Sequence, residues 1–219
     1  MSLTGSDINK ISTVSGDRFN LWISLINHLD CQNMLEIGVY AGEFASQILS
    51  GCKLLVKYYM LDPWKNLDDW NKPSNNVDFD IVYNAMLLNT SFAESKRIIL
   101  RGKTTEMIDD IDDESLDFIY IDGDHTLKGI TIDLNNAWRK LKPDGIIGGD
   151  DFTPSIWQHE KKFEPSFVFP YAVYFAQSVG AEIYALSFNQ FLIKKAKTGY
   201  KFYDLTGKYS DITVRNQIT

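Results

Sequence analysis

Several kinds of feature are scarce or missing in this chain, and each absence removes a class of function. Its 219 residues include two cysteines, too few for a disulfide framework and without metal-binding spacing. Cys31 and Cys52 both flank apolar runs, so buried free thiols are expected. No apolar run approaches the roughly 18 residues of a membrane span, and no basic start followed by an apolar core marks a signal peptide. No membrane partner and a cytoplasmic location are therefore expected. Positive charge is also short. Twenty-two Lys and Arg against 29 Asp and Glu leave a net charge of −7, which argues against nucleic acid as a partner. There is no internal repeat or low-complexity block, and no linker that would split the chain.

What is present reads as one α/β domain over residues 1–219, with 44% hydrophobic and 23% charged residues in ordinary globular proportion. Residues 1–16 are polar and read as a loose lead-in. Phe19, Trp22, Ile26 and Leu29 then recur at helical spacing, with Asp17 as N-cap. Met34 to Phe44 is a short apolar run entering a glycine-containing turn, followed by a helical pattern that stops at Gly51. Strand, glycine turn and helix is the arrangement by which doubly wound folds bring backbone close to a nucleotide. The turn lacks the Gly-x-Gly-x-x-Gly spacing of dinucleotide enzymes and the Lys-Ser/Thr ending of a phosphate-binding loop.

A second strand, Leu54 to Leu61, ends at Asp62. About 20 residues past a glycine loop, an acid there suits a ribose diol; the alternative is a turn residue before Pro63. The stretch from Pro63 to Asp80, with Trp64 and Trp70, reads as a long loop or lid whose tryptophans either stack on a ligand or anchor the loop. After a helix over about 77–94, Arg97 to Leu100 is a third strand, with Gly102 at its tip and Thr104 opening the next helix. Two apolar runs follow, and each ends in paired acids: Asp117 to Ile121 before Asp122 and Asp124, and Ile146-Ile147 before Asp150 and Asp151. Leu127, Ile130, Leu134, Ala137, Trp138 and Leu141 form a crossover helix face between them, stopped by Lys142-Pro143-Asp144-Gly145. A helix over Pro170 to Gly180, beginning with proline in its first turn, precedes Glu182–Phe188 and Phe191–Lys195. Those two runs read as a hairpin. The tail over 197–219 is assigned nothing beyond packing or a partner contact. The expected fold is doubly wound, a mainly parallel seven-stranded sheet with helices on both faces and a C-terminal antiparallel hairpin.

Neighbouring strands lie ~4.8 Å apart, so the ends of the fourth and fifth strands would bring like charges together. At 4 Å and an effective dielectric near 20, each such pair costs about 4 kcal/mol. A divalent cation removes that cost, and oxygen ligands favour magnesium over zinc. The alternative is that the acids are solvated turn and capping residues. His125, whose pKa is naturally near neutrality, competes with a carboxylate for the role of general base. His159 falls in the connection after the fifth strand, and His28 near the end of the first helix reads as structural.

The motifs together carry a resemblance. From Met34 to Lys195 the chain resembles the class I S-adenosylmethionine-dependent methyltransferases. Leu35-Glu36-Ile37-Gly38-Val39-Tyr40-Ala41-Gly42 is similar to their first motif, Tyr59-Met60-Leu61-Asp62 to the acid-tipped second strand, and Leu141-Lys142-Pro143-Asp144-Gly145 to their Leu-Lys-Pro-Gly-Gly. The resemblance implies S-adenosylmethionine as cofactor, bound by Glu36, Gly38, Gly42, Asp62, Gly102 and Thr104. Tyr120 to His125 with Gly149 to Phe152 further resembles the metal-dependent O-methyltransferases of sugars and natural products. That likeness implies Mg2+ on Asp122, Asp150 and Asp151, Asp124 as general base with His125 ranked second, and a small hydroxylated acceptor such as a sugar or glycoside. A homo-oligomer is compatible with these features. Rival readings are a metal-dependent glycosyltransferase using Asp122-Gly123-Asp124 and a non-catalytic adenosylmethionine-binding module.

Overall fold

The computed structural model describes residues 3–67, 77–158, 165–196 and 198–209. Trp70 and His159 lie outside them. In chain order the elements are α1 (Gly5–Val14), α2 (Arg18–His28), β1 (Asn33–Ile37), α3 (Glu43–Gly51), β2 (Lys57–Asp62), α4 (Phe79–Asn89) and β3 (Arg97–Arg101). They continue with α5 (Thr104–Met107), β4 (Leu116–Ile121), α6 (Leu127–Lys140), β5 (Leu141–Gly149), α7 (Val168–Val179), β6 (Glu182–Leu186), β7 (Gln190–Lys194) and β8 (Lys201–Asp204).

The sheet order is β3-β2-β1-β4-β5-β7-β6-β8. The first five strands are parallel, β7 is antiparallel to both β5 and β6, and β8 runs parallel to β6. Two apolar clusters cover the faces, one including Trp22, Phe44, Tyr58, Phe118 and Tyr120, the other Leu35, Ile119, Leu134, Ile147 and Phe175. Alternate residues of β4 thus serve opposite layers, as a period of two requires. Strand order reverses between β1 and β4, where a doubly wound sheet opens a crevice.

Among the described residues the sheet has eight strands rather than the expected seven. The eighth is only four residues long and sits in a polar tail, so its sequence carries little strand signal. Aromatic contacts hold that tail in place: Tyr203 stacks on Tyr184 at 4.5 Å. Tyr209 is buried against Phe152 and Phe169 and donates its hydroxyl to the Phe152 carbonyl. Residues 5–14, expected as a loose lead-in, form a helix instead. Thr4 and Asp7 make a capping box, which satisfies two orphan N–H groups reciprocally, and Ile8 buries against the core.

Several local expectations hold. Asp17 caps α2 by accepting from the Asn20 N–H at 2.7 Å. Asp144, where the resembled motif has glycine, takes a left-handed backbone with φ 63°, a conformation aspartate tolerates better than most residues. Both cysteines are buried and free.

The parallel ladder continues one residue past the strand ends. The Gly38 N–H donates to the Leu61 carbonyl (2.9 Å), Asp122 to Ile37 (2.8 Å), Asp150 to Ile121 (3.1 Å) and Gly102 to Asp62 (3.1 Å). The approach is closest at Gly38, where φ is +87° and a Cβ would lie 2.1 Å from the Asp122 carbonyl oxygen. Gly180 also has positive φ (+68°), but a Cβ there meets nothing within 4 Å. Gly180→Ala therefore bears only the left-handed cost of about 1–2 kcal/mol. Gly38→Ala adds a backbone collision and is expected to cost at least about 3 kcal/mol. Urea unfolding of the two variants separates these terms, and equal losses would refute the close approach.

Candidate active site

The ladder extension sets Gly38, Asp62, Gly102, Asp122 and Asp150 along one edge of the sheet. A cavity of about 440 Å³ opens against it, within the usual range for a small-molecule site. Its lining includes Glu36, Gly38, Asp62, Thr104, Asp122, Asp124 and His125. One cavity therefore gathers most of the residues assigned to cofactor binding and three of those assigned to chemistry. Gly42, Gly102, Asp150 and Asp151 lie outside that lining. Gly42 is the N-cap of α3, and Gly102 closes the ladder to Asp62.

On the glycine-loop side, Asp62 is the organiser. One carboxylate oxygen accepts from the N–H groups of Val39 and Tyr40, both at 3.0 Å, and the other accepts from Trp64 N–H at 2.7 Å. Three backbone donors converging on one acid hold the loop in a fixed shape, with Tyr40 at φ 51°. Trp64 is fully buried, and its indole N–H donates to the Tyr40 carbonyl at 2.8 Å. It thus anchors the loop rather than standing over the cavity. Glu36 is completely buried and accepts from the Tyr58 hydroxyl at 2.7 Å. Burial pushes its carboxyl well above the usual carboxylate range, against the pull of the Tyr58 hydrogen bond. Thr104 donates to Asp133 at 2.7 Å, and Asp133 is itself buried and lines the cavity.

On the acid side the carboxylates are sorted among different partners. Asp124 accepts from the Thr126 N–H (3.0 Å) and hydroxyl (3.1 Å), so its carboxylate is held by the residue that caps α6. Asp150 takes a hydrogen-bonded ion pair from Arg18, accepts from Gln190 Nε2 at 2.6 Å and accepts from the Asp151 N–H at 2.8 Å. Its pKa is nevertheless raised to about 6, first by burial and then by the charges of Asp122 and Asp151. Arg18 also lies 3.7 Å from Asp122. His125 Nε2 lies 2.6 Å from Asp151 Oδ2 and 3.8 Å from Asp122 Oδ1, and Gln158 donates to Asp151 at 3.0 Å.

Among the described residues, Asp122, His125 and Asp151 have donor atoms all within 4.8 Å of one another and could hold a metal. The sequence reading placed Asp150 there and His125 outside. Two carboxylates and an imidazole form a donor set that magnesium or manganese accepts and that is less exclusively oxygen than expected. Arg18, Asp133 and Gln190 had not been singled out. Arg18 carries no local signal beyond following a helix cap, because its acids come from strands more than 100 positions away.

Comparisons with known proteins agree with this architecture. Residues 35–152 match a family model described as a methyltransferase domain. The chain is 26% identical over 165 residues to the uncharacterized protein y4gI of Sinorhizobium fredii, a match covering 70% of this chain but 17% of that protein. The chain therefore spans only a small part of that curated relative. Among solved structures, a candidate caffeoyl-CoA O-methyltransferase from Staphylococcus aureus aligns with TM-score 0.60 at 18% identity, covering 86% of this chain and 90% of the other. An O-methyltransferase from Bacillus cereus in complex with SAH aligns with TM-score 0.54 at 14% identity, covering 88% and 81%. TomG, an O-methyltransferase of tomaymycin synthesis from Streptomyces achromogenes in complex with SAM, aligns with TM-score 0.52 at 9% identity, covering 88% and 80%. At such identities the likeness is one of fold. With the family match extending over more than half of its length, from the glycine loop to the paired acids, this chain belongs to the methyltransferase-domain family and has the class I S-adenosylmethionine-dependent fold.

Proposed function

We propose that the protein methylates a hydroxyl group of a small acceptor with the assistance of a divalent cation. The observation that carries this reading is a single cavity lined both by the Gly38–Asp62 loop system and by Asp122, Asp124 and His125. Glu36, Gly38, Asp62, Gly102 and Thr104 would hold S-adenosylmethionine, with Gly42 opening α3 behind the loop. The cofactor supplies a methyl group on a positively charged sulfur. Asp122 lines the same cavity and brings negative charge to it. Asp62 is the carboxylate proposed to meet a ribose hydroxyl, its direction set by three backbone N–H groups.

Asp122, His125 and Asp151 would hold the cation, which lowers the pKa of an acceptor hydroxyl. Asp124 borders the same cavity, and Thr126 fixes the direction of its carboxylate. It is the proposed proton acceptor. Gln158 orients Asp151 in the manner of an outer-shell partner. A sugar or glycoside is the proposed acceptor, its hydroxyl facing Asp122 and Asp124, and magnesium is the preferred ion.

A second reading has a specific observation behind it. The 2.6 Å contact between His125 and Asp151 is the arrangement in which a carboxylate fixes an imidazole as general base. EDTA treatment separates the two. Under the metal reading, turnover is lost with chelator and restored by Mg2+, while adenosylhomocysteine binding persists. Full turnover in EDTA, with a rate rising on a histidine-like pKa and abolished in His125→Gln, would establish the imidazole base instead.

Asp62→Ala leaves three N–H groups without their acceptor. A stability loss of about 1–3 kcal/mol is expected, together with at least tenfold weaker adenosylhomocysteine binding by calorimetry. Unchanged affinity would remove Asp62 from the cofactor site.

Asp150 provides a pH signature. Its folded pKa of about 6 lies above the ordinary value of 3.8. Between about pH 4 and 6 the folded chain keeps a proton that the unfolded chain has released, so stability falls as pH rises through that window and levels off above it. The full term is on the order of 3 kcal/mol. Asp150→Asn in EDTA is expected to flatten that slope in unfolding measurements from pH 4 to 7.5. A variant that tracks the parent's pH dependence would contradict the assignment.

A further inference from the structure

Arg18 is placed by the core rather than by the surface. One helical turn later on α2, Trp22 is fully buried and its ring occupies the space over Gly148, where a Cβ would lie 2.1 Å from the indole. The Trp22 Nε1–H donates to Gln190 Oε1 at 2.7 Å, and the Tyr120 hydroxyl donates to the same oxygen at 2.8 Å. Gln190 is fully buried and passes its amide N–H to Asp150. Residues four apart share a helix face, so anchoring Trp22 delivers Arg18 to the ends of β4 and β5. Its guanidinium ion-pairs with Asp150, lies 3.7 Å from Asp122 and sits 5.2 Å from the centre of the Phe19 ring.

We infer that Arg18 is a tethered cation that competes with a divalent metal for Asp122 and bars it from Asp150, limiting the site to one ion on Asp122, His125 and Asp151. This inference rests on the metal reading above. Both Asp150 oxygens already have donors: Gln190 and the Asp151 N–H on one, Arg18 on the other. A second ion at Asp150 would have to displace a guanidinium that cannot shed its charge. An ion at Asp122 meets the same positive charge a few ångströms away, which weakens its binding. Arg18 is thus a specificity-determining residue for the cation.

Mn2+ is the probe. Its binding to the full chain, to Arg18→Gln and to Arg18→Met is measured by calorimetry and by the loss of the free-ion electron paramagnetic resonance signal. The glutamine variant keeps a donor for Asp150 without the charge, and thermal unfolding in EDTA identifies whichever variant is folded. The expected result is one ion on the parent chain and at least tenfold tighter binding, or a second ion, on the variants. Equal affinity and stoichiometry within twofold would overturn the inference while leaving the metal reading standing. Binding by the variants with none by the parent would support the inference and overturn the metal reading of the native chain. No binding by either would overturn both.

Discussion

The carbonyl oxygen of Asp122 lies so close to the α-carbon of Gly38 that no side chain fits between them, and the site is organised by that approach. It lets β1 and β4 extend their ladder one residue beyond the regular strands, which sets the glycine loop and the acid-tipped strand on one edge. A cavity at the reversal of strand order is then lined both by the glycine loop and by Asp122 and Asp124. Any residue larger than glycine at position 38 would push the two strand ends apart.

Bringing so many acids to one edge costs free energy, and the structure offsets it separately for each. Asp62 is satisfied by three backbone N–H groups. Asp124 is satisfied by the start of α6. Asp150 is satisfied by Arg18 and Gln190, which bring α2 and β7 into contact with the functional edge. Asp122, Asp151 and His125 are left close to one another, and the proposed cation would bind among them. Partial neutralisation by neighbours thus leaves a three-residue group with His125 in place of Asp150, without any change in the local motif.

Much of the fold was legible because its signals are local. Alternation and apolar runs located β1 to β7, and the Asp17 cap and the stop at Gly180 located helix ends. The lead-in helix was missed because its ten residues are mostly polar; its capping box and the buried contacts of Ile8 and Ser12 hold it. The eighth strand was missed for a related reason: pairing with β6 and stacking on Tyr184 stabilise four residues that have little strand pattern of their own. In the site, the glycine loop, Asp62 and the acid pairs were readable as strand-end motifs. The partners of those acids were not, since Arg18 and Gln190 reach Asp150 from positions 132 and 40 residues away.

The sequence by itself determined the order of strands and helices, the glycine loop and the presence of acids at two strand ends, because periodicity, turn chemistry and motif spacing act over a few residues. Only the tertiary structure decided what each acid does. Which carboxylate meets a guanidinium and which meets an imidazole depends on the packing of Trp22 over Gly148 and on β7 lying beside β5. Those contacts join segments that no local pattern relates, and electrostatic partners are chosen by distance in space.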